Sequence, residues 1–178
     1  MPAKNIVAIG YFVAFVAMFF WLAYPLSTED TAISAVLGGL LAWVSYSDST
    51  SRRIPNIAVI LIAAFGALAI YYLESEALLS RLYISIIFFV CMFYIHYISS
   101  RIAKSGTFGM GDIKLVAASL FWLGPHAMVS AAISALALGL GFILLMVIAR
   151  RRKLRDPIPF GPFIAMSVWG YWLLKISP

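Results

Sequence analysis

The chain has 178 residues, 63% of them hydrophobic and 11% charged, with a mean hydropathy of +0.99, which excludes an ordinary water-soluble domain and describes an integral membrane protein. Its net charge of +6 sits in short gaps between apolar runs, an arrangement suited to lipid headgroups and to orientation in a bilayer, with no nucleic acid as partner. The single cysteine, Cys91, lies inside an apolar run and excludes an intrachain disulfide or a cysteine-based metal knuckle.

Seven apolar runs follow in chain order, and because lipid cannot satisfy exposed backbone groups each one predicts a helix. The first, 6–26, stands behind Lys4; it is longer than the apolar region of a secretory signal and no small-x-small cleavage site follows, so it reads as a retained span. The second, 31–47, ends at Asp48. Then comes Arg52-Arg53-Ile54-Pro55-Asn56, where Pro55 holds Ile54 extended and opens the third run, 56–73. The fourth, 81–98, contains His96. The fifth, 112–124, opens at Gly109-Met110-Gly111-Asp112 and carries Lys114; its roughly 13 residues cover only about 20 Å, so it starts earlier or thins the bilayer. The sixth, 126–148, follows Pro125 and precedes the basic run Arg150-Arg151-Arg152-Lys153-Leu154-Arg155. The last, 158–175, lies behind Asp156 and within Pro157-Ile158-Pro159-Phe160-Gly161-Pro162. The expected architecture is an all-α polytopic membrane protein, a bundle of about seven transmembrane helices in one domain over 1–178.

Alternating the spans puts Lys4, Arg52, Arg53, Arg101, Lys104 and the five cations of 150–155 on one side, against Arg81 and Lys175 beside Glu29, Asp30, Glu74 and Glu76 on the other. The first side, with the N-terminus, is therefore expected to be cytoplasmic. Trp21, Tyr24, Tyr46, Tyr71, Tyr72, Tyr97, Trp122 and Trp172 near span ends read as interfacial anchors. With this polarity the second helix ends at Asp48 on the cytoplasmic side and the fifth begins at Asp112 on the same side.

Asp48 lies at a helix C-terminus, where the macrodipole disfavours negative charge, and acids within spans tend to be functional. Asp112 has a second reading as the N-cap of its helix. Gly109 and Gly111 allow backbone conformations closed to other residues and close approach by an extended peptide. Arg52 and Arg53 read as snorkelling lipid contacts, and Lys114 either snorkels or approaches Asp112. The prolines and glycine of 157–162 fit irregular backbone lining a cavity, or a helix start with Asp156 as its cap. His96 and His126 fall on opposite sides, so they form no paired metal site. No nucleophile-elbow serine or phosphate loop is present, which leaves the two aspartates as the candidate chemistry.

On these motifs the chain resembles the type IV prepilin peptidases, membrane aspartyl proteases of the GxGD class. The likeness rests on Asp48 followed by Arg53-Ile54-Pro55-Asn56, on Gly109-Met110-Gly111-Asp112-Ile113-Lys114-Leu115, and on Pro159-Phe160-Gly161-Pro162. It frames residues 31–175, a six-helix peptidase core, with 6–26 as an additional N-terminal helix. The resemblance implies that Asp48 and Asp112 are the catalytic pair, supported by Arg53, Pro55, Asn56, Gly109, Gly111, Lys114, Pro159, Phe160, Gly161 and Pro162. It implies as substrate a prepilin or pseudopilin precursor whose short basic leader is cut on the cytoplasmic side of the inner membrane, ahead of a hydrophobic helix. Pilus or secretion assembly machinery would be a further partner. Larger relatives carry a Cys-x-x-Cys loop and methylate the new N-terminus. Here the corresponding gap holds only 49–54, which looks like the compact branch and puts methyltransferase activity in doubt.

Two carboxylates about 4 Å apart repel by about 4 kcal/mol at an effective dielectric near 20, so the pair is expected to share one proton. The ionised member then activates water and the protonated one polarises the scissile carbonyl, with no metal or other cofactor required. The rival reading is a non-proteolytic transporter or pilus-assembly subunit that uses the same aspartates to bind protons or cations.

Overall fold

The computed structural model describes residues 27–102, 109–149 and 158–177, together with helical positions Gly10, Val13, Phe15 and Ala17. Most of the expected first span, Lys4, Lys104, Trp21, Tyr24, the basic run 150–155, Asp156 and Pro157 lie outside the described residues. The described chain is helical without strands: α1 (Thr28–Ser51), α2 (Asn56–Leu73), a 3-10 turn (Ser75–Ala77), α3 (Leu78–Ile102), α4 (Met110–Ile148) and α5 (Gly161–Ile176). Three stretches among them, Asn56–Leu73, Ser75–Ile102 and Met110–Ile148, are long and apolar enough to cross a membrane. The protein is an all-α membrane protein, as its composition requires.

Helix starts follow local chemistry. The Ser27 hydroxyl accepts the N–H of Asp30 at 3.1 Å and caps α1, and Glu29 and Asp30 lie in the first turn, where negative charge is favourable. Pro55 (φ −64°, ψ 127°) is the residue before α2, its missing N–H costing nothing there. Pro162 stands in the first turn of α5 for the same reason. That helix starts at Gly161, three residues later than the apolar run suggests.

α4 is not one rod. Gly124 (φ 73°, ψ 173°) breaks it just before Pro125, and it is the only positive-φ glycine among the described residues. The arms 110–123 and 125–148 fold back on each other, as Val116 and Leu120 line one cavity with Met128 and Ala132. The described helices thus comprise six rods, and the expected seventh, 6–26, lies outside them except for its four helical positions.

The break leaves carbonyls without helical partners, and Arg81 supplies the replacement. Its Nη1 donates to the carbonyls of Phe121 at 2.8 Å and Trp122 at 2.9 Å, while Nη2 pairs with Glu74. Lys175 reaches the same carboxylate at 2.7 Å. Burial alone would push the Glu74 carboxyl up, but the hydrogen bond from Lys175 and the charges of Arg81 and Lys175 outweigh it and hold the group below its usual 4.5. This cluster ties together the ends of α2 and α5, the start of α3 and the turn of α4.

Between helices, lipid supplies no hydrophobic drive, so close fit decides the packing. Three glycines receive aromatic rings. A Cβ on Gly38 would stand 2.6 Å from Trp169, one on Gly66 2.6 Å from Trp122, and one on Gly139 3.0 Å from Phe160. Trp122 and Trp172 are core residues, each 1% exposed, edge-to-face at 5.0 Å, with their Nε1 groups donating to the Ile62 carbonyl and the Ser34 hydroxyl. The reading of these two as interfacial anchors is corrected. Tryptophan near a span end suits either site, and here the indole N–H finds a buried acceptor. Tyr46, Tyr71, Tyr72 and Tyr97 are exposed, as anchors are. Phe15 stacks on Trp169 at 5.3 Å.

Candidate active site

Asp48 occupies the last turn of α1, yet its carboxylate is buried, with 7% of the residue exposed. At its own helix end its carbonyl accepts the N–H of Arg52, which closes the helix in a left-handed conformation (φ 54°, ψ 36°). The carboxylate is held from another helix. The backbone N–H of Gly161, the first residue of α5, donates to Asp48 Oδ2 at 2.9 Å, so the carboxylate sits at a positive helix terminus. A Cβ on Gly161 would lie 2.8 Å from that oxygen. Only a glycine admits this approach.

Asp112 is the third residue of α4, behind Gly109 at the N-cap position (φ −63°, ψ 129°), and not itself the cap. Its N–H bonds the Gly109 carbonyl at 3.1 Å. Its carboxylate folds back so that a Cβ on Gly109 would stand 2.8 Å from Oδ2. Gly111, beside Asp112, packs against Ile54, six residues past Asp48, so the two acids lie toward one end of the bundle despite coming from α1 and α4.

The supporting motif residues gather there too. A Cβ on Gly111 would meet the Ile54 side chain at 3.2–3.3 Å, so the α1–α2 link packs directly against the start of α4. Gly109 and Gly111 are used for close approach of the chain to itself, and neither takes a positive φ. Lys114 Nζ donates to Asn56 Oδ1 at 3.1 Å, tying α4 to α2; the two ion pairs seen among the described residues both fall on Glu74 at the far end. Arg52 closes α1 at the Asp48 end, its N–H donating to the Asp48 carbonyl, while Arg53 is exposed and contributes its carbonyl as acceptor for the Ser47 hydroxyl at 2.8 Å. Pro159 and Phe160 lead into α5, with Phe160 against Gly139 and Phe163, and Pro162 is buried.

Two structural residues, one beside the aspartates and one at the far end of the bundle, escape a reading of the sequence. Ser47 fixes the link between α1 and α2, and nothing distinguishes it from its serine and threonine neighbours. Arg81 has a visible signal, a cation at the head of an apolar run after two glutamates, but its acceptors depend on the break at Gly124. Among the described residues no group of three histidine, cysteine, aspartate or glutamate side chains gathers to hold a metal ion. His96 and His126 lie toward opposite ends of the bundle.

Chemically, the site offers two carboxylates of unlike surroundings at a bundle end, one oriented by a helix N-terminus and one against a glycine. The family model of the type IV leader peptidase family matches residues 35–148, which include both aspartates and the Arg53–Asn56 motif. A protein of Pseudomonas aeruginosa named prepilin leader peptidase/N-methyltransferase is 24% identical over 131 residues, 74% of this chain and 45% of its own length. Proteins of the same name from Aeromonas hydrophila and Aeromonas salmonicida are 38% identical over 65 residues and 36% over 61, each 34% of this chain and 21% of theirs. The chain spans less than half the length of these curated relatives. No solved structure matches it. With the family model covering well over half of the chain, the protein belongs to the type IV leader peptidase family.

Proposed function

We propose that this protein is an intramembrane-type aspartyl endopeptidase that removes the short basic leader from type IV prepilin or pseudopilin precursors at the cytoplasmic face of the cell membrane. The observation that supports this reading is the placement of Asp48 and Asp112 toward the same end of the bundle, where Gly111 packs against Ile54 and the Gly161 N–H holds Asp48. Family membership supplies the substrate class. The cytoplasmic assignment is supported by the cations Arg52, Arg53, Arg101 and Lys114 at the aspartate end, against Arg81 and Lys175 at the other.

In the proposed reaction the two carboxylates hold one proton between them. The ionised member takes a proton from water as its oxygen attacks the scissile carbonyl carbon, and the protonated member donates to the carbonyl oxygen. The tetrahedral intermediate collapses with a proton passing to the departing amine, which becomes the new N-terminus of the mature subunit. Cleavage of the peptide bond is the activity proposed, without methylation of that terminus.

The test is the intact mass of a prepilin co-expressed with and without this protein in a host lacking such a peptidase. Loss of the leader's mass only when the protein is present supports the proposal. An unaltered prepilin mass, with the protein folded in the membrane, rejects it in favour of a transporter or assembly subunit.

A further inference from the structure

A cavity of about 300 Å³ opens between α3 and the second arm of α4. Its lining residues are all apolar; Val116 and Leu120 with Phe160 and Ile164 contribute from α4 and α5, and exposed Val129 and Leu136 form its lip. Both contributions begin at a carboxylate. Asp112, Val116 and Leu120 stand at i, i+4 and i+8 on one face of the first arm of α4. Phe160 precedes Gly161, whose N–H holds Asp48, and Ile164 follows one turn on. Two other cavities are not lined by residues leading from both carboxylates. The one between α2 and α3 reaches Lys114, tied to Asn56, and the one between α1 and α2 lies by Glu29 and Tyr72 at the opposite end.

A peptide bond brought to the carboxylates is followed in the precursor by an apolar helix, which must continue through the bilayer beside the bundle. Resting on the leader-peptidase reading, we infer that this groove receives one face of the first two to three turns of that helix, just C-terminal to the scissile bond. From Val116 to Pro125 the groove descends about 14 Å, the length of roughly nine helical residues. A volume of about 300 Å³ holds a few side chains of one helix face and not a whole helix, so the substrate packs from the lipid side with its side chains in the groove. The lipid-facing approach leaves the leader free at the aqueous end, where the carboxylates are.

The test places a photo-crosslinking amino acid at Val129 or Leu136, and at Ile60 in the α2–α3 gap for comparison. The full-length protein is reconstituted in phosphatidylethanolamine and phosphatidylglycerol vesicles. The probe is a purified prepilin segment with its basic leader and apolar helix. Adducts with the segment at Val129 and Leu136 are expected to exceed those at Ile60 by about 10-fold, and Ala132→Trp to raise KM about 10-fold more than it changes kcat. Lipid adducts alone at Val129 and Leu136, or equal segment adducts at all three positions, overturn the groove. Failure of the groove and failure of the reading beneath it are separable. Wild-type cleavage without groove adducts removes the groove alone, whereas groove adducts with full cleavage by Asp48→Asn remove the paired-aspartate reading alone.

Discussion

Asp48 and Gly161, 113 positions apart in sequence, meet at 2.9 Å through a hydrogen bond from the Gly161 backbone to Oδ2 of the aspartate. The C-terminus of α1 is an unfavourable place for a carboxylate, and the N-terminus of α5 reverses that by presenting a backbone donor and the positive end of its dipole. The contact also fixes the carboxylate's direction.

Gly161→Ala tests that fixing. Its Cβ would sit 2.8 Å from Asp48 Oδ2 and 3.1 Å from Cγ, so the carboxylate must swing away. Cleavage of a prepilin is expected to fall about 100-fold, as a displacement near 1 Å does in a positioned site, with helix content unchanged by circular dichroism. Cleavage within two- or three-fold of wild type contradicts a positioning role.

Gly111 and Ile54 form a second tight approach, between the α1–α2 link and the start of α4. Gly111→Val pushes these apart and moves Asp112 relative to Asp48, so cleavage is expected to be lost with expression intact. If the close approach is the cause, adding Ile54→Ala to the milder Gly111→Ala restores activity about 10-fold over Gly111→Ala alone, a coupling of about 1.4 kcal/mol. Simple additivity of the two substitutions contradicts it.

At the far end, Arg81→Met removes the donor to the Phe121 and Trp122 carbonyls and one partner of Glu74. A loss of about 2–3 kcal/mol in unfolding free energy is expected in detergent, since buried acceptors are left without partners. Glu74→Gln costs less, about 1 kcal/mol or below, because Glu74 is 40% exposed and screened.

The same glutamate gives a pH dependence of known sign. Its folded value lies below the usual 4.5, so the unfolded chain binds the proton more readily. Its stabilisation is fully present above 4.5 and is lost as pH falls through the lower folded value. Thermal unfolding of wild type and Glu74→Gln is therefore expected to differ most at pH 7 and to converge below the folded value. A gap that widens on acidification contradicts the assignment.

That the two aspartates of the candidate site lie at one end of the bundle was legible in the sequence because helix polarity can be counted. Alternating spans with cations concentrated on one side bring the end of the helix at Asp48 and the start of the helix at Asp112 to a common face. The partner of Asp48 was not legible, since a backbone N–H leaves no mark in residue type and the span of α5 reads as starting before Gly161. The uses of Gly109 and Gly111 were mistaken in part, because glycine signals either conformational freedom or lack of a side chain, and only packing against Ile54 and Asp112 decides. Trp122 and Trp172 misled for a like reason: a ring near a span end suits the interface until Ile62 and Ser34 appear as acceptors. The hairpin in α4 was marked by Pro125, but the break itself falls on Gly124.

The central claim is that Asp48 and Asp112 act together on a peptide bond, and it is tested most directly by the intact mass of a prepilin incubated with purified wild type, Asp48→Asn and Asp112→Asn in lipid. Leader removal by wild type and none by either variant, with both variants unfolding at wild-type temperature or above, is the predicted result. Leader removal by either asparagine variant at a rate near wild type contradicts the claim.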